Sequence, residues 1–191
     1  MLGGDNMKEV RIMLSVSELE WCRLHAETIV NYYGDSKGSG AYNHNRVASN
    51  LVGVKSEVGV KTWFEERLIG IPMDCNFIHF KNKKLKGDIR IRNRSIEIKG
   101  LRNSQWARFK RCIPPKQLNK YCAQRAIVIW TTTAANDVDG EVILKGWNYA
   151  NDVKKKGKFR KTICDNICLA DDADMRNLED LIKLLKPTKW P

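Results

Sequence analysis

The chain of 191 residues has no long hydrophobic run and no leader-like start. None of its apolar stretches approaches the roughly 18 residues that a membrane-spanning helix needs. The first residues, MLGGDNMKEV, have neither the basic start nor the apolar segment of a secretory signal peptide. We therefore expect a cytoplasmic protein with no membrane partner.

Closely spaced metal-binding side chains are also scarce. The sequence has six cysteines, of which none forms a C-x-x-C pair, and only three histidines. A structural zinc site needs two such ligand pairs, and disulfide frameworks are typical of smaller, secreted domains. The sequence therefore predicts no zinc, no disulfide scaffold and mostly buried free thiols.

Positive charge is abundant and unevenly placed. The net charge is +12, and residues 81–116 contain thirteen Lys or Arg but only two acids, Asp88 and Glu97. Such a basic segment favours a polyanion such as nucleic acid as partner, whereas residues 165–180 are acidic. Two carboxylates inside the basic segment weaken that attraction unless a cation, such as a metal ion, neutralises them.

Hydrophobic periodicity and turn residues predict alternating helices and strands. The predicted strands cover residues 8–14, 75–80, 86–92, 95–100, 126–133, 141–147 and 162–169. The predicted helices cover residues 15–33, 54–69, 116–122, 151–156 and 174–185, with a loop over 34–50. This order predicts an α/β fold with a mixed β-sheet flanked by helices, in one domain that spans residues 1–191.

A charged β-hairpin is the most informative local pattern. Polar and apolar residues alternate through 88–92 and 95–99, so the isoleucines face the core. With Asn93 and Arg94 as a two-residue turn, Asp88 pairs with Lys99 and Glu97 is their diagonal neighbour. Two carboxylates on one face, about 7–8 Å apart at Cα, are suited to Mg²⁺. The alternative is a solvated strand face with surface ion pairs.

With Glu57 on the preceding predicted helix, these residues resemble the PD-(D/E)XK nuclease superfamily, which has a restriction-endonuclease-like fold. Its pattern is an acid on an early helix, an Asp at a strand start and (D/E)-x-K on the next strand. Here Asp88 and Glu97-Ile98-Lys99 match the last two parts. The usual proline before the Asp is replaced by Gly87.

A second motif extends the resemblance. Gln117 and Tyr121, in the sequence QLNKY, resemble the Q-x-x-x-Y motif of RecB-like members. Residues four apart share one face of a helix. The likeness covers about residues 54–133, which we take as the catalytic core, with the N-terminal helix and the C-terminal strands and helix packed on it.

The resemblance implies a role for each residue of this set. Asp88, Glu97 and the carbonyl of Ile98 would hold Mg²⁺, for which Mn²⁺ would substitute. Glu57 would bind a second ion or position a water. Lys99 would orient or help to deprotonate the attacking water, and Gln117 and Tyr121 would position Lys99 or the phosphate. Such a metal lowers the pKa of water and stabilises the charge that develops on the phosphate.

The sequence therefore predicts a DNA-associated endonuclease. Expected DNA contacts are Arg46, Arg90, Arg102, Arg108, Lys110, Arg111, Lys116, Lys155, Lys158 and Arg160. Recombination or junction resolution, restriction, and phage or mobile-element DNA processing all fit. The alternatives are an inactive nucleic-acid-binding module of the same fold and a ribonuclease. Since one such site cuts one strand, a homodimer is one route to cutting both.

Overall fold

The computed structural model describes residues 9–33, 46–82, 84–109, 111–161, 165–169 and 174–187. The described strands are β1 (Val10–Met13), β2 (Met73–Cys75), β3 (Ile89–Ile91), β4 (Arg94–Arg102), β5 (Arg111–Ile113), β6 (Ile127–Thr133), β7 (Glu141–Tyr149), β8 (Lys158–Lys161) and β9 (Asp165–Leu169). The described helices are α1 (Val16–Tyr33), α2 (Arg46–Arg67), α3 (Trp106–Phe109), α4 (Pro115–Ala123), α5 (Ala150–Lys156) and α6 (Leu178–Leu185). None of these helices combines the length and apolar character that crossing a membrane requires.

A six-stranded mixed sheet forms the centre of the fold, in the order β1-β7-β6-β4-β3-β2. Strands β4 and β6 run parallel, while the other neighbours are antiparallel. Every residue of β6 is buried, as expected for a run rich in β-branched residues that is covered on both faces. A mixed sheet flanked by helices confirms the predicted α/β class.

The two faces of the sheet bury different sets of side chains. On one face, Ile96 and Ile129 join a cluster with buried residues of α1, α2 and α6. On the other face, Val128 and Trp130 pack with α4, α5 and a smaller sheet of order β5-β9-β8. Because alternate residues of a strand point to opposite faces, β6 contributes buried side chains to both clusters.

Helix α2 begins earlier than the sequence predicts, at Arg46 instead of residue 54. The predicted loop is therefore wrong over residues 46–50, and its part from 34 to 45 lies outside the described residues. Gly53 and Gly59 lower the intrinsic helix propensity there. Packing compensates, because a Cβ at Gly59 would lie 2.8 Å from Val142 of β7, so glycine lets α2 approach the sheet.

The segment 75–80 is not the predicted strand. Strand β2 ends at Cys75, and Asn76–His79 forms a 3₁₀ turn that buries Phe77. The Asn76 amide donates to the carbonyl of Lys86 at 3.0 Å, which draws the chain out of the strand direction. The short strands β5 and β8 were also absent from the prediction.

A disulfide joins Cys112 of β5 to Cys168 of β9. The expectation of mostly free thiols is therefore wrong for this pair, while Cys22, Cys75 and Cys122 are free. The two residues are directly paired across antiparallel strands, with Cα atoms 4.2 Å apart. Their sequence separation of 56 residues hides this proximity from local patterns.

Candidate active site

The register of the β3–β4 hairpin differs from the predicted one by two residues. Ile89 pairs with Ile96 and Ile91 with Arg94, so the turn consists of Arg92 and Asn93. Arg92 has φ 56°, the left-handed backbone that tight hairpin turns require. A two-residue shift keeps every side chain on its predicted face. It places Asp88 level with Glu97 instead of Lys99.

Asp88 is held by main-chain hydrogen bonds at the start of β3. Its N–H donates to the Ile96 carbonyl at 2.8 Å, and its Oδ2 accepts from the Ile98 N–H at 2.6 Å. Gly87 before it has φ 75°, which proline, fixed near −65°, cannot adopt. A Cβ at Gly87 would also lie 2.4 Å from Ser95 Oγ. The backbone entering Asp88 therefore requires glycine here.

Glu97 of β4 is buried, with 4% of its surface exposed. Its Oε1 accepts no hydrogen bond from the described residues. A buried carboxylate oxygen without a partner is destabilising. A cation placed against this oxygen would remove that cost.

Glu57 reaches the same site from the opposite layer of the fold. Glu97 and Lys99 are level with Val128 and Trp130, so they lie on the α4 side of the sheet, whereas Glu57 belongs to α2 on the other side. The approach of α2 depends on Gly100, where a Cβ would lie 2.3 Å from Ser56 Oγ. The charge of Glu57 thereby interacts with those of Asp88, Lys99 and Glu97.

The three carboxyl groups hold their protons more tightly than usual. Burial, and then the charge of Asp88, raise the pKa of Glu97 from 4.5 to about 8. The same two causes raise the pKa of Glu57 well above its ordinary value. Burial also raises the pKa of Asp88, although Lys99 and the Ile98 N–H oppose the rise. Burial and mutual repulsion thus oppose the simultaneous ionisation of all three groups.

Lys99, Gln117 and Tyr121 form a connected group beside the acids. Lys99 Nζ donates to Gln117 Oε1 at 3.2 Å and lies 5.0 Å from the centre of the Tyr121 ring. Tyr121 is buried, and burial and the nearby Glu97 raise the pKa of its hydroxyl. Pro114 and Pro115 start α4 so that Gln117 and Tyr121 face β4 one turn apart.

Lys120 also lies near this site, although it is not among the residues predicted from the sequence. It is exposed on α4, and its charge opposes the rise in the pKa values of both Asp88 and Glu97. The sequence contains a feature that indicates this position. Residue 120 follows Gln117 by three residues, so the two lie on the same side of a helix.

The geometry fits a hard divalent cation held by few side chains. Asp88 and Glu97 lie beside the main chain of Ile98, and Glu97 Oε1 lacks a partner. In the part of the chain that the structure describes, no three His, Cys, Asp or Glu side chains form a group that could hold a metal ion. Mg²⁺ is commonly held by one or two carboxylates and keeps several waters, so two carboxylates and a carbonyl are sufficient.

The predicted DNA contacts lie largely on the surface. Those exposed are Arg90, Arg108, Lys116, Lys155, Lys158 and Arg160, and Arg102 is half-buried. Arg160 donates to the Arg108 carbonyl at 3.1 Å, which joins the basic strand β8 to α3. Lys110 and the side chain of Arg46 lie outside the described residues.

Arg111 is a correction, because it is completely buried and cannot contact DNA. Its guanidinium donates to Asn148 Oδ1 at 3.3 Å, an oxygen that also accepts from Trp130 Nε1 at 2.9 Å. Alternate residues of a strand share one face, so Arg111 lies on the same face of β5 as the buried Ile113, and Cys112 between them faces the other way. Arg111 therefore points inward.

Six residues from α2, the β3–β4 hairpin and α4 thus lie near one another: Glu57, Asp88, Glu97, Lys99, Gln117 and Tyr121. No protein-family model, curated protein or solved structure matches this chain.

Proposed function

We propose that this protein is a metal-dependent nuclease with a restriction-endonuclease-like core, which hydrolyses phosphodiester bonds in DNA. The observation that carries the proposal is the convergence of Glu57, Asp88 and Glu97 around a single lysine, Lys99. Strongly perturbed carboxyl groups that share one site are more frequent at functional sites than elsewhere. Three buried or half-buried acids close together destabilise the folded state, whereas a bound cation would neutralise them.

The order of the elements supports the choice of nuclease. The acidic helix residue, the Asp at a strand start and the E-x-K strand stand on α2, before β3 and in β4. Gln117 and Tyr121 stand on α4, and both contact Lys99. An isolated E-x-K tripeptide is common, whereas these contacts among distant segments are specific.

Asp88, Glu97 and the Ile98 carbonyl are the groups that would hold Mg²⁺. When bound, the ion supplies Lewis-acid polarisation of the phosphate and a more acidic water. Asp88 is fixed in place by the Ile98 N–H, so its second oxygen is free to face a ligand. Glu57 adds negative charge beside the pair and would order a water or a second ion.

Lys99 supplies the positive charge that faces the reacting phosphate. Its hydrogen bond to Gln117 and its position over Tyr121 fix the ammonium group and restrict its side-chain freedom. A preorganised cation stabilises charge that develops in the transition state without moving during the reaction. Gln117 and Tyr121 act as positioning residues in this scheme.

Cleavage assays on a substrate panel test the proposal. Duplex DNA, single-stranded DNA, a four-way junction and RNA are incubated with the protein and Mg²⁺, Mn²⁺ or EDTA. We expect cuts in DNA that require the divalent ion and leave 5′-phosphates. Cutting of RNA alone, or binding without cutting under every condition, would overturn the proposal in favour of a ribonuclease or an inactive binding module.

Two substitutions locate the activity at this site. Asp88→Asn and Lys99→Ala are expected to slow cleavage by at least about 100-fold, since each removes a preorganised charge at the reacting group. DNA affinity in EDTA is expected to stay within a few-fold of the unmodified protein. Arg23→Ala is the control, because Arg23 is partly exposed on α1 and pairs with Glu27. Full activity in Asp88→Asn or Lys99→Ala would reject the site.

A further inference from the structure

A basic cavity of about 820 Å³ lies beside the turn of the β3–β4 hairpin and contains none of the three acids of the site. It is formed by the β3–β4 turn, the end of α4 and the end of α6. Five of the side chains that line it are cationic, and none is acidic: Arg92, Arg94, Arg125, Lys183 and Lys186. They come from three segments that are distant in sequence, so the fold itself concentrates the charge.

The positive charge of this cavity is poorly compensated. Lys183 pairs with Asp180 at 3.2 Å, while the other four cations have no carboxylate partner among the described residues. Helices α4 and α6 both end at the cavity, and each contributes about half a negative charge. That total is well below the charge of four free cations, so the cavity attracts an anion.

The backbone at the cavity is also unusual. Arg92 and Arg125 have φ values of 56° and 50°, and they are the only non-glycine residues with positive φ in the described part of the chain. Both line the cavity. Arg92 adopts this conformation in the hairpin turn and Arg125 adopts it directly after the end of α4, so two tight turns bring both arginines to the cavity.

The cavity lies close to the acidic site along β4. Gln124 in its wall accepts a hydrogen bond from Ser95 Oγ at 3.3 Å. Ser95 precedes Glu97 by two residues on the same face, a distance of about 7 Å along a strand. One DNA strand carries a phosphate about every 3.4 Å of helix axis. The wall of the cavity next to Ser95 and the carboxyl group of Glu97 are therefore only a few phosphates apart along such a strand.

We infer that this cavity binds the sugar-phosphate backbone of a nucleic acid, a few nucleotides from the bond that the acidic site cuts. The position relative to a cut rests on the proposed function, whereas the binding does not. Arginine recognises phosphate because its planar fork donates two parallel hydrogen bonds. Arg92, Arg94 and Arg125 supply three such forks from two rigid turns.

Binding measurements with charge variants test this inference. Arg94→Ala/Arg125→Ala is compared with Arg23→Ala/Arg67→Ala, which removes the same charge from helices α1 and α2, where both arginines pair with glutamates. Anisotropy of a labelled 30-bp duplex is followed in EDTA over a range of salt concentrations. Arg94→Gln/Lys186→Gln repeats the test with bulkier side chains if the first variant folds poorly.

We expect the cavity variants to lose at least tenfold in affinity. The slope of log K against log salt should become shallower by about 2, because two phosphate contacts are lost. The control variant should change affinity less than threefold. Equal behaviour of both variants would overturn the inference, as would tight binding of ATP by the cavity with unchanged duplex affinity.

The binding test of the cavity can fail or succeed independently of the cleavage test of the nuclease proposal. If no substrate is cut but the cavity variants lose affinity and slope, the inference stands and the nuclease proposal falls. If the cavity variants bind and cut as the unmodified protein does, the inference falls and the nuclease proposal stands.

Discussion

Replacing Glu97 by glutamine is expected to stabilise the metal-free protein at pH 8 and above. In the folded state, burial and Asp88 raise the pKa of Glu97 from 4.5 to about 8. Between these two values the folded protein keeps a proton that the unfolded chain releases. The contribution of Glu97 to stability is therefore fully present below about pH 4.5 and is lost as the pH rises through about 8.

The size of this effect follows from the two pKa values. A tenfold difference in proton affinity corresponds to 1.36 kcal/mol, so the rise from 4.5 to about 8 amounts to roughly 5 kcal/mol. Glu97 has only 4% of its surface exposed, so solvent screening removes little of it. A buried amide without full hydrogen bonding costs about 1–3 kcal/mol. Glu97→Gln should thus gain roughly 2–4 kcal/mol at pH 9.

Urea unfolding in EDTA, followed by tryptophan fluorescence at pH 5, 6.5, 8 and 9, measures this gain. The free energy of unfolding of the unmodified protein should fall across the series, whereas that of Glu97→Gln should fall much less. Glu66→Gln, an exposed acid on the same helix as Glu57, is the matched control and should follow the unmodified protein.

Added Mg²⁺ provides the second arm of the experiment. An ion that binds only the folded state raises stability by mass action. At pH 8, Mg²⁺ should stabilise the unmodified protein and leave Glu97→Gln nearly unchanged. Parallel pH curves for all three proteins, or equal Mg²⁺ stabilisation of Glu97→Gln, would refute the view that like charges converge at a cation site.

Three further results are expected. Gly87→Ala should lower stability by about 1–2 kcal/mol and reduce cleavage at least tenfold, whereas Gly70→Ala, with similar φ and open space around it, should lower stability but keep cleavage. Reducing the disulfide should lower the free energy of unfolding in urea by up to about 4 kcal/mol, given its separation of 56 residues; an unchanged midpoint would contradict its formation. Arg111→Leu should lower the free energy of unfolding by about 1–3 kcal/mol in thermal melts and leave DNA affinity unchanged. Lys158→Ala should weaken DNA binding and leave the stability unchanged.

Period-two alternation was enough to predict which hairpin residues share a face. The faces of Asp88, Glu97 and Lys99 are as predicted, because they depend only on parity. The register itself depends on which residue accepts a positive φ. Asn93 was the natural candidate for that role, and the chain uses Arg92 instead.

Long-range pairing accounts for most of what the sequence could not reveal. The inward direction of Arg111 and the bond between Cys112 and Cys168 both follow from β5 pairing with β9, which no local pattern encodes. Helix α2 likewise extends through Gly53 and Gly59 because the sheet packs against it. Tertiary packing outweighs local propensity at each of these places.

The acids of the site come from both sides of one sheet, with Glu57 from the α2 layer and Glu97 facing the α4 layer. A cation held by Asp88 and Glu97, with Glu57 beside it, would link the α2 and α4 layers through the interior of the sheet. Partial opening of either layer would then separate the ligands before the whole chain unfolds. Amide hydrogen exchange should therefore slow in α2 and α4 together when Mg²⁺ is added, although these helices lie on opposite faces.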